Sequence, residues 1–248
     1  MSPFRVLKNL FWFYFLLLAA GTAHALQIDQ ADPLERFPNT LASWRTTTSA
    51  EPGSFATALN GTRVAVGLPT NNTDPGIVRV FDRVDEDGNF VQVGSDIVNH
   101  LTFAKFGASV AINEAGDRLA IGAPEAENPD TSGQNVGCVY FYKLINDVWT
   151  PYGNPIWGTR NNQRFGKSLS FNDEGLRLAI GSGETSPSFI SSVQVVQDSP
   201  LAYQPIGGPV MAAVAGDQFG ASVHLSGDGQ YLAVGAPHNT YATGRPGS

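Results

Sequence analysis

The sequence has one cysteine and few charged residues, and both scarcities narrow the class of protein. The single cysteine, Cys138, excludes an intrachain disulfide framework, so stability must come from packing. Charged residues make up 15% of the 248 positions, and the net charge is −7. This acidic balance, without clustered Lys and Arg, argues against a nucleic-acid partner. After residue 25 there is no sustained helical periodicity and no apolar run near the ~20 residues that span a membrane.

The one long apolar run lies at the N-terminus, over residues 10–20. It follows the basic residues Arg5 and Lys8 and precedes Ala23-His24-Ala25. The run is too short to cross a bilayer but has the length of a secretory h-region, and the A-x-A pattern predicts cleavage after Ala25. Residues 1–25 are therefore predicted to be a signal peptide, with an uncleaved anchor as the alternative. The protein is expected to be secreted or held at the cell surface.

Two glycosylation sequons follow the predicted signal peptide. They are Asn60-Gly61-Thr62 and Asn71-Asn72-Thr73, and neither contains a proline that would block modification. Both lie in turn-like sequence contexts, where a secreted protein can carry a glycan. Asn60 and Asn71 are therefore candidate glycosylation sites.

A repeat runs through the chain with a period of 54 to 59 residues. Its most regular part begins with Phe-Gly, as in FGASVAINEAGDRLAIGAP at 106–124 and FGASVHLSGDGQYLAVGAP at 219–237. A third copy begins at Phe165, and a shorter relative at 54–69 keeps only the second half. The glycine near the end of each copy recurs at Gly67, Gly122, Gly181 and Gly235. A fixed period of this length is typical of repeat architectures.

Within each repeat the hydrophobic pattern has a period of two. Val110 and Ile112 alternate with small residues, and so do Leu119 and Ile121 after a short turn. Each strand pair therefore has one bulky face and one small-residue face, in place of the charged outer face of a half-solvated sheet. A further strand and an aromatic–x–x–apolar–Gly–x–x–aliphatic segment complete four strands. Four-stranded antiparallel blades, covered on both faces, predict an all-β fold of the β-propeller class.

The segment from Gly216 to Val223, followed by Gly235-Ala236-Pro237, resembles the FG-GAP repeat, a family that includes the propeller of integrin α subunits. The resemblance implies blades in which Phe-Gly opens the inner strand and Gly-Ala-Pro closes the next. An irregular segment over 26–53 precedes the region that the resemblance covers. That region, 54–248, divides into units at 54–105, 106–164, 165–218 and a partial 219–248.

The number of predicted blades can be compared with the number in a closed propeller. These units contain about three and a half blades, whereas propellers of the FG-GAP type usually close with about seven. The resemblance therefore implies that the chain is a fragment of a longer propeller. The alternative is a small four-bladed ring in which residues 26–53 supply the missing strands. An unclosed blade would expose a strand edge, which predicts self-association through that edge.

Residues that commonly carry chemistry are sparse. Many FG-GAP repeats contain a calcium loop, but the corresponding turns here offer too few carboxylates, such as Asp228 alone, where calcium takes about six to eight oxygens. We therefore expect no metal and no cofactor. Cys138 occupies an apolar strand position and His224 lies on the small-residue face, so both are expected to be packed. Because there is no sialidase-type Asp box and no recognisable carboxylate pair, we assign no catalytic residue and expect no enzyme.

The loops between the second and third strands of each unit differ most among the repeats. In propellers these loops share a face with the connectors between blades, which here carry Lys105, Arg160 and Arg164. Variable loops on a rigid scaffold are common binding sites. We therefore predict a non-catalytic adhesion module that binds an extracellular protein or glycan; a matrix or wall assembly protein and a propeller hydrolase with an unrecognised site are the alternatives. The candidate ligand-binding residues are Asp74, Glu125, Glu127 and Asp130.

Overall fold

The structure, a computed structural model, describes residues 53–69, 76–85, 89–99, 101, 103–130, 133–183 and 190–239. It also describes the backbone of strands β1 (Leu16–Ala19) and β2 (Thr22–Ala25), which pair with each other in antiparallel fashion. These two strands fall within the predicted signal peptide. The rest of that segment and nearly all of the predicted irregular segment lie outside the described residues.

Three full blades and two strands of a fourth follow, and each is one antiparallel sheet. Blade 1 contains β3 (Ser54–Ala58), a 3₁₀ turn (Leu59–Gly61), β4 (Arg63–Leu68), β5 (Ile77–Arg83), β6 (Phe90–Gln92) and β7 (Ile97–Val98). Blade 2 contains β8 (Ser109–Ile112), β9 (Arg118–Ala123), β10 (Cys138–Ile145), β11 (Val148–Pro151) and β12 (Ile156–Trp157). Blade 3 contains β13 (Ser168–Phe171), β14 (Arg177–Gly181), β15 (Ser192–Asp198), β16 (Tyr203–Pro205) and β17 (Val210–Met211). Blade 4 contains β18 (Ser222–Leu225) and β19 (Leu232–Gly235). No α-helix occurs in the described part of the chain.

The outermost strand of each full blade is split in two, which differs from the single fourth strand predicted from the sequence. Both halves pair with the same third strand, as β6 and β7 do with β5. The break falls at the glycine of the aromatic–x–x–apolar–Gly–x–x–aliphatic segment. Gly94, Gly153 and Gly207 have φ angles of +74°, +72° and +67°, a conformation that strains residues with a Cβ. The glycine therefore lets the strand bulge out and rejoin the sheet.

The blades stack face to face, with the bulky face of each blade against the small-residue face of the preceding one. Leu119 and Ile121 of blade 2 share a buried cluster with Ala65 of blade 1. Leu178 of blade 3 shares another with Ala120 of blade 2. Small side chains on one face allow the close approach that buries the large ones on the other. This stacking of antiparallel blades confirms the predicted all-β, propeller-class fold.

The Phe-Gly pairs lie at the interfaces between blades. Phe106 and Phe165 are buried there. A serine from the first strand of one blade donates a hydrogen bond to the carbonyl of the next Phe-Gly glycine at three interfaces: Ser54 to Gly107 (3.2 Å), Ser109 to Gly166 (2.5 Å) and Ser168 to Gly220 (2.7 Å). These carbonyls approach Gly67, Gly122 and Gly181 so closely that a Cβ at those glycines would overlap the carbonyl oxygen.

A charged cluster joins blade 2 to blade 3. Arg118 of β9 forms an ion pair with Asp198 at the end of β15, and Lys143 of β10 lies 3.5 Å from the same carboxylate. The Tyr152 hydroxyl donates a hydrogen bond to Asp198 at 2.8 Å, and the Tyr203 hydroxyl donates one to the Gly175 carbonyl. Burial disfavours ionisation of Asp198, but the bonds from Arg118 and Tyr152 and the charge of Lys143 outweigh it and lower its pKa.

Two further expectations have opposite outcomes. Cys138 is fully buried in the cluster between blades 1 and 2, as predicted. His224 is exposed, so the prediction that it is packed was wrong. The physical reason is that no described residue covers this face of blade 4. In the described residues there is also no helix long and apolar enough to span a membrane.

Candidate functional site

In the described residues, the connectors between blades contact the loops that follow the second strands. Together they form a surface along one side of the stack, where the second strands end. The Glu125 N–H donates to the Ala104 carbonyl at 3.2 Å. The same loop of blade 2 also contacts the next connector, where the Arg164 N–H donates to the Asn135 carbonyl at 3.1 Å, and the Arg160 guanidinium of that connector donates to the Ile190 carbonyl of blade 3 at 2.9 Å. We call this surface the connector face; it comprises the described residues of 103–107, 124–137, 160–167 and 182–191.

The connectors contain several non-glycine residues with positive φ angles. Lys105, Arg164 and Gln218, which directly precede the three Phe-Gly pairs, have φ angles of +52°, +51° and +58°. Phe103 and Asn162, three positions before Phe-Gly, have φ angles of +60° and +59°. Non-glycine residues rarely adopt this left-handed region, so the surrounding hydrogen bonds must over-determine each turn. The cationic side chains at these positions therefore project from a defined backbone.

Positive charge gathers on the connector face of this acidic protein. Lys105 Nζ forms an ion pair with Glu125 at 2.8 Å. Burial lowers the pKa of Lys167, and the nearby charges of Arg164 and Lys105 lower it further, while Glu125 opposes them. Among the described residues neither Arg164 nor Lys167 has an ion-pair partner. Among the described residues, the three cations Lys105, Arg164 and Lys167 thus form a cluster in which only Lys105 has an ion-pair partner, Glu125.

Three of the four predicted acidic residues lie on the 124–137 loop of the connector face. Glu125 lies in the charge cluster, half-buried and paired with Lys105. Glu127 and Asp130 are exposed along the 124–137 loop, where they remain predictions. Asp74 lies outside the described residues. The glycosylation candidates also stay predictions, because Asn71 and the side chain of Asn60 are likewise outside the described part; the Asn60 backbone lies in the 3₁₀ turn.

Lys167 was not among the predicted site residues. It follows Phe165-Gly166, at a position where the other two Phe-Gly repeats have Ala108 and Ala221. The signal in the sequence was the single lysine that replaces a small residue at this point of the repeat. Its Nζ lies 3.5 Å from the Gly183 carbonyl, so the side chain extends toward the loop of blade 3.

The other titratable groups give no metal or thiol site. In the residues that the structure describes, no three His, Cys, Asp or Glu side chains lie close enough together to hold a metal ion. Burial raises the pKa of the Cys138 thiol from 9.0 to about 12, with the hydrogen bond involving Tyr140 opposing it. A buried thiol with this pKa is almost entirely protonated near neutral pH, and the thiolate is the reactive form.

We expect iodoacetamide to leave Cys138 unmodified in the folded protein at pH 8. The raised pKa cuts the thiolate fraction by about three orders of magnitude, and the surrounding blades exclude the reagent. Intact-mass spectrometry before and after denaturation measures this directly. One carbamidomethyl group should appear only in the denatured sample; rapid modification of the native protein would contradict the placement of Cys138.

Comparisons with known proteins show no family and only distant structural similarity. No protein-family model and no curated protein matches the sequence. Among solved structures, hydrazine synthase of Kuenenia stuttgartiensis is 16% identical with a TM-score of 0.47, over 76% of this chain and 59% of that one. The Dos1 propeller is 12% identical with a TM-score of 0.47, over 76% of this chain and 43% of that one. The chain thus spans less than two thirds of either structure, and its assignment as a stack of propeller blades rests on its own sheets.

Proposed function

We propose that this chain is a non-catalytic, secreted or cell-surface propeller module of the FG-GAP type that binds an extracellular protein or glycan through the connector face. The observation that carries the proposal is the contact between the variable 124–137 loop and the connectors on both sides of it, beside Arg164 and Lys167, which have no ion-pair partner among the described residues. The predicted signal peptide and the two sequons support an extracellular location. Rigid connectors favour binding because little conformational entropy is lost when a ligand arrives.

The charges favour an acidic ligand. Within the cluster, Lys105 is already paired with Glu125, so Arg164 and Lys167 are its cations that are available to a ligand. An arginine fork suits the planar geometry of carboxylate and sulfate groups, and a lysine acts beside it as a point charge. Burial is the main cause of the lowered pKa of Lys167, and an approaching anion would offset the repulsion from Arg164 and Lys105 that adds to it. We therefore propose a ligand that carries carboxylate or sulfate groups.

The test is binding of the full chain to an array of sulfated, carboxylated and neutral glycans. We expect acidic glycans to bind, and the double variant R164A/K167A to lose about tenfold in affinity because two charge-assisted contacts are removed. Binding should also weaken as the salt concentration rises.

The matched control is Arg83→Ala, which removes one cation from the exposed end of β5, outside the connector face. This variant should bind like the wild type. A loss of about threefold in the control, which is half of the double variant's expected loss on a free-energy scale, would show that only net charge matters, and binding confined to neutral glycans would contradict the acidic ligand.

A further inference from the structure

The small-residue face of blade 4 has no neighbour in the described part of the chain. Ser222 and His224 on β18 are exposed. Their counterparts in blade 2, Ser109 and Ala111, are buried beneath blade 3. The same kind of face is therefore covered at three interfaces and open at the fourth, and the three covered examples show what fits it.

The first shared feature is the contact with a Phe-Gly carbonyl. In blade 2, Ser109 donates to the Gly166 carbonyl, which packs against Gly122. Blade 4 has the same pair, Ser222 opposite Gly235 in the register of β18 and β19. A Cβ at Gly235 would meet only the side chain and backbone of Ser222, and no described residue accepts a hydrogen bond from Ser222. The donor and the space for a carbonyl are both present.

The second feature is a hydrogen bond between hairpin turns. An N–H in the turn between the first two strands of each blade donates to the equivalent turn carbonyl of the next blade: Leu59 to Glu114 (2.9 Å), Glu114 to Asp173 (3.1 Å) and Asp173 to Gly227 (3.0 Å). Gly227 occupies the same position in blade 4. Its N–H meets no acceptor among the described residues. The series of hydrogen bonds between turns therefore ends at the Gly227 N–H, which is free to donate to a further turn.

The third feature is a side chain at the start of the second strand that reaches the next turn. Arg63 donates to the Gly116 carbonyl at 2.7 Å, and Arg177 donates to the Gly229 carbonyl at 2.9 Å. In blade 4 this position is Tyr231, which is 73% exposed. In blade 2 the equivalent Arg118 pairs with Asp198 instead, and the Gly175 carbonyl of that turn accepts a hydrogen bond from the hydroxyl of Tyr203, which shows that a tyrosine hydroxyl can bond a turn carbonyl of this type.

We propose that the surface formed by Ser222, Gly227, Tyr231 and Gly235 binds a further blade of this repeat, one whose first strand is opened by a Phe-Gly pair. The serine contact and the turn contact, which occur at all three described interfaces, then recur at a fourth, and Tyr231 takes the position of Arg63 and Arg177. A second copy of this chain fits less well. In its first blade, Glu51-Pro52 stand where Phe106-Gly107 stand in blade 2, because Ser54 aligns with Ser109.

The probe is a peptide of residues 164–183, which form the β13–β14 hairpin that covers blade 2; it is cyclised from head to tail and used only after circular dichroism shows that it is folded as a hairpin. Labelled peptide is titrated with the full chain, and binding is followed by fluorescence anisotropy. We expect saturable binding that weakens at least about tenfold in Gly235→Ala, since a Cβ there occupies the carbonyl position. Ser222→Ala, which removes only the donor, should also weaken binding.

The control protein is Gly208→Ala, because a Cβ at Gly208 meets nothing within 4 Å. It should bind the peptide like the wild type. Absence of saturable binding, or equal binding to Gly235→Ala and wild type, would overturn the proposal. A concentration-dependent dimer that Gly235→Ala abolishes would also overturn it, because the occupant would then be a second copy.

Discussion

Replacing Gly122 with alanine is expected to lower the free energy of unfolding by about 3 kcal/mol, at the upper end of the usual cost of overpacking. The added methyl group would overlap the carbonyl oxygen of Gly166 and the hydroxyl of Ser109. The carbonyl belongs to the backbone of blade 3, so the overlap is relieved only if the two blades separate. Denaturant unfolding monitored by circular dichroism measures the loss.

Gly235→Ala provides the matched comparison on blade 4. Its methyl group would meet only Ser222, whose side chain can rotate away, so the free energy of unfolding should change by less than about 0.5 kcal/mol. Gly→Ala also restricts the unfolded chain, which adds a small stabilisation to both variants. Equal destabilisation of Gly122→Ala and Gly235→Ala would contradict the close approach of the Phe-Gly carbonyl at the blade interface.

Replacing Asp198 with alanine is expected to cost about 2–3 kcal/mol, because the cations Arg118 and Lys143 would be left without their common carboxylate. The Asp198 side chain is only 10% exposed, so water compensates little of this loss. The hydroxyl of Tyr152 would also lose an acceptor. Asp130→Ala, at an exposed loop position, is the control and should be within about 0.5 kcal/mol of wild type.

The same carboxylate predicts a pH dependence of stability. Its pKa is lowered in the folded protein, whereas an unfolded chain has a value of about 3.9. The stabilisation is therefore fully present above about pH 4 and is lost as the pH falls through the lowered folded pKa. The stability difference between wild type and Asp198→Ala should shrink in this acidic range. A difference that stays constant down to pH 2 would contradict the ion pair.

Much of the fold could be predicted because large residues that become buried alternate with small residues within the repeats. Val110 and Ile112 alternate with small residues, and the structure places the large side chains against the small-residue face of blade 1. The split outer strand was harder to predict. Its glycines, such as Gly94, are visible in the sequence, but the bulge depends on a positive φ angle and on the renewed pairing of Ile97–Val98 with β5 of the same blade.

The connector face was predicted less completely than the fold. The sequence identified which loops carry the variation, because they differ between repeats, and it identified Glu125. It could not show that Glu125 pairs with Lys105, because 20 residues separate them and the ion pair forms only when the connector folds onto the loop. Lys167 was missed for a related reason. The charged residues Lys105 and Glu125 are distant from it in the sequence, and they come close enough to change its pKa only after folding.

The face-to-face stacking of the blades is tested most directly by nuclear Overhauser effects between them. The Leu225 N–H of blade 4 donates to Ser170 Oγ of blade 3 at 2.9 Å, and the Glu114 N–H donates to the Asp173 carbonyl across the interface between blades 2 and 3. A spectrum of labelled protein should show cross-peaks from the Leu225 amide to the Ser170 β protons and from the Glu114 amide to the backbone around Asp173. If both are missing while the cross-peaks within each sheet are present, the hairpins fold without stacking and the propeller account is wrong.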